Sequence, residues 1–155
     1  MKTHPMTGLL AACQQCPSPN KDHRPENTVI DVVVIHSISL PPGRYGSDDI
    51  ERFFQNRLDK DAHRYFNEIH EMQVSAQILI KRTGEVVQFV PFNERAWHAG
   101  QSMFEGRNVC NDFSIGIERL VERMIRGRKI YCADKVHRFA CAKLTIHRGV
   151  FPFHA

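Results

Sequence analysis

At 155 residues the chain is the size of one domain, long enough to bury about two-thirds of its extended surface. Its 42% hydrophobic and 25% charged residues suit an ordinary globule, and no apolar run nears the roughly 18 residues of a membrane span. The formal charge of +4 is matched by residues 119–130 alone, where five basic groups face one acid. A nucleic-acid binder spreads its basic footprint over a face with aromatic or groove-reading elements, so a solvated loop is expected there and no nucleic-acid partner.

Residues 1–28 are rich in proline and turn formers (Pro17-Ser18-Pro19-Asn20, Arg24-Pro25-Glu26-Asn27). They read as an extended arm lying on the domain and frayed at its start. The apolar stretch Gly8-Leu9-Leu10-Ala11-Ala12 is too short for a signal-peptide core, so no secretory signal is read. Five cysteines form an odd set without a small-scaffold spacing, which points to reduced thiols. Cys13-Gln14-Gln15-Cys16 has no second pair and precedes the first strand, so it is taken as incidental rather than as a redox or zinc motif.

Val29 to Ile35 is a run dominated by β-branched residues, the composition of a strand buried on both faces. It delivers His36 where the run meets turn residues, and Pro41, Pro42 and Gly43 end the pairing. That imidazole either caps the strand against a nearby carbonyl or serves as a ligand. A helix capped by Ser47 or Asp48 follows, with Ile50, Phe53, Phe54 and Leu58 at helical spacing as core. Residues 59–73 suit a loop with a short helical turn, and His63 and His70 are taken as loop histidines.

Ala76 to Arg82 and Glu85 to Val90 flank Thr83-Gly84, which predicts a hairpin with a two-residue turn. Arg95 to Gly100 is a loop in which Trp97 stands beside His98. That pair can stack a sugar or cover a core edge. After a polar loop over 101–112, Phe113 to Glu118 reads as a strand ending in a carboxylate. A last helix is predicted from Asp134 to His147, with Val136, Phe139, Ala140 and Leu144 on one face. The order describes an α/β fold, a single-domain mixed β-sheet flanked by helices.

His36 and Glu118 each stand at the end of a strand. If those strands are neighbours, a metal-ligating imidazole and a carboxylate base face one cleft, the pair that zinc hydrolysis needs. The wording of the segments adds to this. Pro17 to Asn20, Val33 to Gly43, Val74 to Ile80, Gly84 to Phe92, Arg95 to Gly100 and Cys110 to Glu118 resemble, in order, the AmpD family of cytoplasmic 1,6-anhydro-N-acetylmuramyl-L-alanine amidases. That family belongs to a wider group of zinc amidases and peptidoglycan recognition proteins.

The resemblance implies a zinc-dependent N-acetylmuramoyl-L-alanine amidase of peptidoglycan recycling, cutting the lactyl–L-Ala amide of anhydro-muropeptides. It implies His36 as a Zn2+ ligand, Glu118 as general base, and Ser37 and Trp97 as substrate-binding residues, with His98 at a position that is not a ligand. It also implies a cytoplasmic protein acting on anhydro-muropeptide, with no membrane partner, and a monomer is expected. The domain reading is an arm over 1–28 and an amidase domain over 29–155 that is C-terminally truncated. The family's second zinc histidine, its lysine and its aspartate ligand lie in a Gly-His-x-Asp-Ile-Ala-Pro to Lys-Thr-Asp-Pro-Gly stretch with no counterpart here, so one of three protein ligands is present. Gln77 stands where the family usually has histidine, and Ser37 where it often has asparagine. Impaired turnover is therefore expected. The alternatives are an inactive amidase fragment, a non-catalytic muropeptide-binding module and, last, a nucleic-acid contact through 119–130.

Overall fold

The structure, a computed structural model, describes residues 3–4, 6–120, 131–132 and 145–148. In chain order its elements are β1 (Gln14–Gln15), β2 (Lys21–His23), β3 (Val32–Ser37), α1 (Asp49–Phe54), α2 (Arg64–Ile69), β4 (Ile78–Ile80), β5 (Val86–Gln88) and β6 (Glu94–Ala96). β7 (Ser102–Phe104), β8 (Arg107–Asn108), α3 (Cys110–Phe113), β9 (Ser114–Arg119), β10 (Tyr131–Cys132) and β11 (Thr145–Arg148) complete them. Six strands form the central sheet in the order β1-β5-β4-β9-β3-β11. β9 runs parallel to both β3 and β4, while β4–β5 and β3–β11 are antiparallel. This is the mixed sheet expected of the α/β reading. No described helix is long and apolar enough to cross a membrane.

Alternation along β3 sorts its side chains between two faces. Val32, Val34 and His36 are buried, whereas Val33, Ile35 and Ser37 are half-buried, so the strand is less completely enclosed than its β-branched run predicts. On the first face, Val32 and Val34 pack with Phe104, Cys110 and Phe113. Further along that face Leu79 and Val87 meet Ile50, Phe53 and Phe54 of α1 and Phe66 and Ile69 of α2. The aromatic stripe of α1 is thus core, as its spacing predicts, although the helix stops at Phe54 and Leu58 packs from beyond it. Ile30, Ile78, Phe92 and Ile115 form a separate buried cluster with Leu10 against it.

The expected hairpin is present with a longer connection. β4 and β5 pair from Ile78↔Gln88 to Ile80↔Val86, and Lys81 N–H donates to Glu85 O at 2.8 Å. That leaves three loop residues, with Gly84 at φ +86°. This is the left-handed position of a three-residue hairpin, which glycine takes without steric cost. The polar loop over 101–112 also carries structure, a β7–β8 hairpin and the short α3. Residues 134–144 of the predicted last helix and most of the basic block lie outside the described residues. Thr145 to Arg148 form β11, antiparallel to β3. The apolar spacing that suggested a helix to His147 is overridden there by a sheet edge offering partners for Thr145 and Ile146.

The arm is sewn into the domain from β1 onward. β1 pairs parallel with β5, and β2 pairs antiparallel with β6, which takes Arg95 and Ala96 of the expected 95–100 loop into a strand. Ser18 Oγ donates to Phe54 O at 2.5 Å and Asn20 Nδ2 to Val74 O at 2.8 Å. Arg24 is buried and donates to four carbonyls: Phe92 O (3.3 Å), Asn111 O (2.9 Å), Asp112 O (2.5 Å) and Ser114 O (2.9 Å). Burial pulls its guanidinium down to about 10. Cys13, Cys16 and Cys110 are free thiols.

Candidate active site

β3 and β9 are in parallel register with His36 opposite Glu118. Laterally paired residues of a ladder project to the same side, with their strands about 4.8 Å apart. The imidazole and the carboxylate, distant in sequence, therefore share one face. Leu79 of β4 is Glu118's partner on the other side. Glu118 thus sits between an aromatic nitrogen base and an apolar wall, only 7% exposed. Burial alone pushes its carboxyl up to about 8, since desolvation penalises the charged form. Its Oε2 is buried without a hydrogen-bond partner among the described residues. A buried polar atom in that state calls for an ion, a water or a chemical role.

His36 is fully buried, and its bonding partner differs from the carbonyl of a simple strand cap. Its Nε2 lies 3.0 Å from Nδ1 of His98, the rings edge to face with centroids 5.2 Å apart. His98 in turn reaches Ser114 Oγ through Nε2 at 3.1 Å, and Ser114 Oγ donates to Cys110 O at 2.5 Å. The His98 ring lies flat enough on β9 that a Cβ on Gly116 would stand 2.4 Å from its Cγ. Gly116 is therefore a close-approach glycine. Asn111 Oδ1 accepts from the backbone N–H groups of His98 (3.1 Å) and Ala99 (2.8 Å), holding the loop over the sheet.

Gln77 is fully buried beside this group. Its Oε1 accepts from Gly116 N–H at 2.7 Å, while its Nε2 donates to Glu94 O at 3.3 Å. It fastens β9 at the residue on which His98 rests. Trp97 is half-buried and is anchored through its backbone, its N–H donating to Ser75 Oγ at 3.0 Å and its carbonyl accepting from Ser75 N–H at 3.1 Å. Asp22 lies under the same loop, its carboxyl held below the usual range first by Arg95 and also by the Trp97 indole. Arg95 bridges Asp22 and Asp112 at 2.6 and 2.5 Å.

His36 and Glu118 are thus brought together, and Trp97 stands in the loop that delivers His98. Ser37 is not brought to them. It pairs with Arg119, one residue past His36, and alternation sends its side chain to the opposite face with Val33 and Ile35. Sequence reasoning missed His98, Ser114, Gly116 and Gln77 as a group. The alternation of Ser114, Gly116 and Glu118 was readable once a strand was expected there, but the register that faces them to His36 was not.

The chain as a whole is similar to known proteins. A family described as N-acetylmuramoyl-L-alanine amidase matches residues 26–141. The chain is 54% identical over 111 residues to the 1,6-anhydro-N-acetylmuramyl-L-alanine amidase AmpD of Haemophilus influenzae, covering 72% of this chain and 60% of that protein. It is 53% identical over 111 residues to the AmpD of Enterobacter cloacae, covering 72% and 59%. It therefore spans about 60% of the length of these curated relatives. A crystal structure of a selenomethionine AmpD derivative superposes with a TM-score of 0.74 at 48% identity, covering 78% of this chain and 66% of that one. With residues 26–141, three-quarters of its length, matched by the family, the chain belongs to the N-acetylmuramoyl-L-alanine amidase family.

Proposed function

We propose that the chain carries the His36–Glu118 part of a zinc-dependent amidase site, which cleaves the lactyl–L-Ala amide of anhydro-muropeptides in peptidoglycan recycling. The observation that carries this reading is the register of β3 and β9, which sets an imidazole beside a carboxylate whose buried Oε2 has no hydrogen-bond partner among the described residues. That donor chemistry fits a zinc ion, which takes neutral imidazole and is commonly flanked by a carboxylate base. Among the described residues no three His, Cys, Asp or Glu side chains come together as a complete metal site, so His36 is the one ligand assigned here. Bound zinc supplies Lewis-acid chemistry, making water more acidic and polarising a carbonyl.

The residues do the rest. Glu118 accepts a proton from the attacking water, a task suited to a carboxyl raised toward neutrality by burial. It then returns the proton to the leaving amine of L-alanine. Trp97 and its loop form one wall of the substrate groove, with the indole as a flat surface for the muramyl ring. His36 is the one ligand assigned among the described residues, and a site built on it alone would hold its ion weakly, so slow turnover is expected. Action in the cytoplasm as a monomer completes the proposal.

The test is zinc binding by equilibrium dialysis together with peptide release from anhydro-muropeptide, for the chain and for His36→Ala. Weak zinc binding and slow zinc-dependent release, both lost in His36→Ala, are expected. Zinc binding that survives His36→Ala overturns the assignment. Muropeptide binding without any release points to a recognition module instead.

A further inference from the structure

Ser75 is almost fully buried, 1% exposed, on the segment leading into β4, and the proposed reaction does not use it. The β2–β6 ladder pairs Asp22 with Arg95 and ends at Lys21 with Ala96. One more rung of that register would set Asn20 opposite Trp97. In its place the Ser75 hydroxyl stands between the two backbones. Ser75 Oγ donates to Asn20 O at 2.6 Å, a group that can only accept, so its one proton is committed there. The same oxygen accepts from the backbone N–H of Trp97 at 3.0 Å, and Ser75 N–H donates to Trp97 O at 3.1 Å. Both backbone groups of Trp97 are thus bound to one residue just where the ladder lets go.

We propose that Ser75 is a positioning residue for Trp97: its hydroxyl takes the place of a ladder rung between the arm and the Trp97 loop, and so fixes where the indole stands. The importance of that place to binding rests on the reading of Trp97 as a wall of the muropeptide groove. The carbonyl that aims the hydroxyl is itself held. Asn20 is buried, and its amide pairs with that of Asn56 in both directions, at 2.8 and 3.0 Å. The same amide donates to Val74 O at 2.8 Å, and Asn20 N–H donates to Ser18 Oγ at 3.1 Å. A ring already held in its bound place loses less freedom when a ligand stacks on it, so the clamp favours binding. At the other end of the residue the indole reaches the Asp22 carboxylate, which Arg95 grips through two nitrogens at 2.6 Å each. The arm therefore meets Trp97 twice, through Asn20 by way of Ser75 and through Asp22 directly.

Trp97 is the single tryptophan of the chain, so its fluorescence reports the position of one ring. The experiment compares emission and acrylamide quenching in the full 155-residue chain, in Ser75→Ala and in Ile50→Val, with neither metal nor substrate. Ser75→Ala keeps the N–H bond to Trp97 O and removes the hydroxyl. Its emission should move to longer wavelength and its quenching should rise. Ile50→Val, a mild core truncation on α1, should leave both unchanged, which separates a lost clamp from a general loosening of the fold. In the unsubstituted chain the Trp97 amide should also exchange slowly, although it lies past the last rung. An unchanged Trp97 spectrum in folded Ser75→Ala overturns the proposal, as does an equal shift in Ile50→Val. A fast-exchanging Trp97 amide overturns it without any substitution. Calorimetry with anhydro-muropeptide tests the groove reading separately. Affinity should fall about 2- to 10-fold in Ser75→Ala, the worth of one hydrogen bond, and further in Trp97→Ala. If Ser75→Ala moves the spectrum while neither substitution changes the affinity, the clamp stands and the reading of Trp97 as a groove wall falls.

Discussion

Glu118 pairs laterally with His36 on one side and with Leu79 on the other, so a potential base is set between an imidazole and an apolar wall by the backbone ladder of the sheet. The backbone of both residues is set by strands rather than by a loop, which is how precise sites are held. Glu118→Gln keeps the shape and removes the proton acceptor. A general base of this kind contributes about 10²- to 10⁴-fold. Whatever rate of peptide release the chain shows should fall by that factor, while zinc binding persists. Release rates on anhydro-muropeptide and zinc dialysis on the same sample check this, and an unchanged rate would remove Glu118 from the chemistry.

The same burial makes folding stability pH-dependent. In the unfolded chain Glu118 titrates near its ordinary value of 4.5, and in the folded chain near 8. The folded state therefore holds its proton more tightly, so the stabilisation from the neutral carboxyl is complete below about 4.5 and is lost as pH rises through about 8. The metal-free chain should lose on the order of a few kcal/mol across that window from this group. Glu118→Gln should flatten that part of the profile. Urea midpoints of both proteins at pH 5 and pH 9 test the sign, which is reversed if the carboxylate is stabilised by a cation already present in the fold.

Much of this arrangement was legible before any coordinates. The β-branched run before His36 and the alternating segment before Glu118 marked two strands, and their polar ends marked two candidate residues. The parallel register that makes them neighbours was not legible, because it is set by packing across the whole sheet rather than by either segment. The same holds for the arm. Lys21 to His23 carry no strand signal and pair only because β6 offers a free edge. His98 was ambiguous between core filler and sugar platform, since its role depends on a ring contact spanning 62 residues and on an absent side chain at Gly116. Ser37 lies on the face opposite His36 because a one-residue step along a strand reverses the side chain's direction.

Arg24 ties the arm to the segment that carries Asn111 and Ser114 through three carbonyls, and to Phe92 through a fourth. Arg24→Met keeps an apolar stem and removes every donor, leaving buried acceptors unpartnered at about 1–3 kcal/mol for the first lost. The expected loss is about 3 kcal/mol or more, with faster amide exchange around residues 111–114. Arg24→Lys should rescue little, because a single ammonium cannot reproduce the fork of a guanidinium. A urea titration of the three proteins decides it, and near-equal midpoints would show that the arm is held by its strand pairing instead.

Val109 is the position where the chain gives up stability. It sits at φ +57° and ψ +66°, the left-handed region, at the N-cap of α3 without a side-chain cap hydrogen bond. A β-branched residue is poorly suited there, at a cost of about 1–2 kcal/mol. Its side chain is 42% exposed, so little packing offsets that cost. Asparagine tolerates the conformation and is a favoured N-cap residue. Val109→Asn should raise stability by about 1 kcal/mol, a melting shift of about 2–4 °C for a chain of this size. Val109→Gly should gain from the same relief of backbone strain while lacking a capping side chain, so it should fall between the two. If Val109→Ala matched Val109→Asn in a thermal melt, the gain would come from side-chain bulk and the backbone argument would fail.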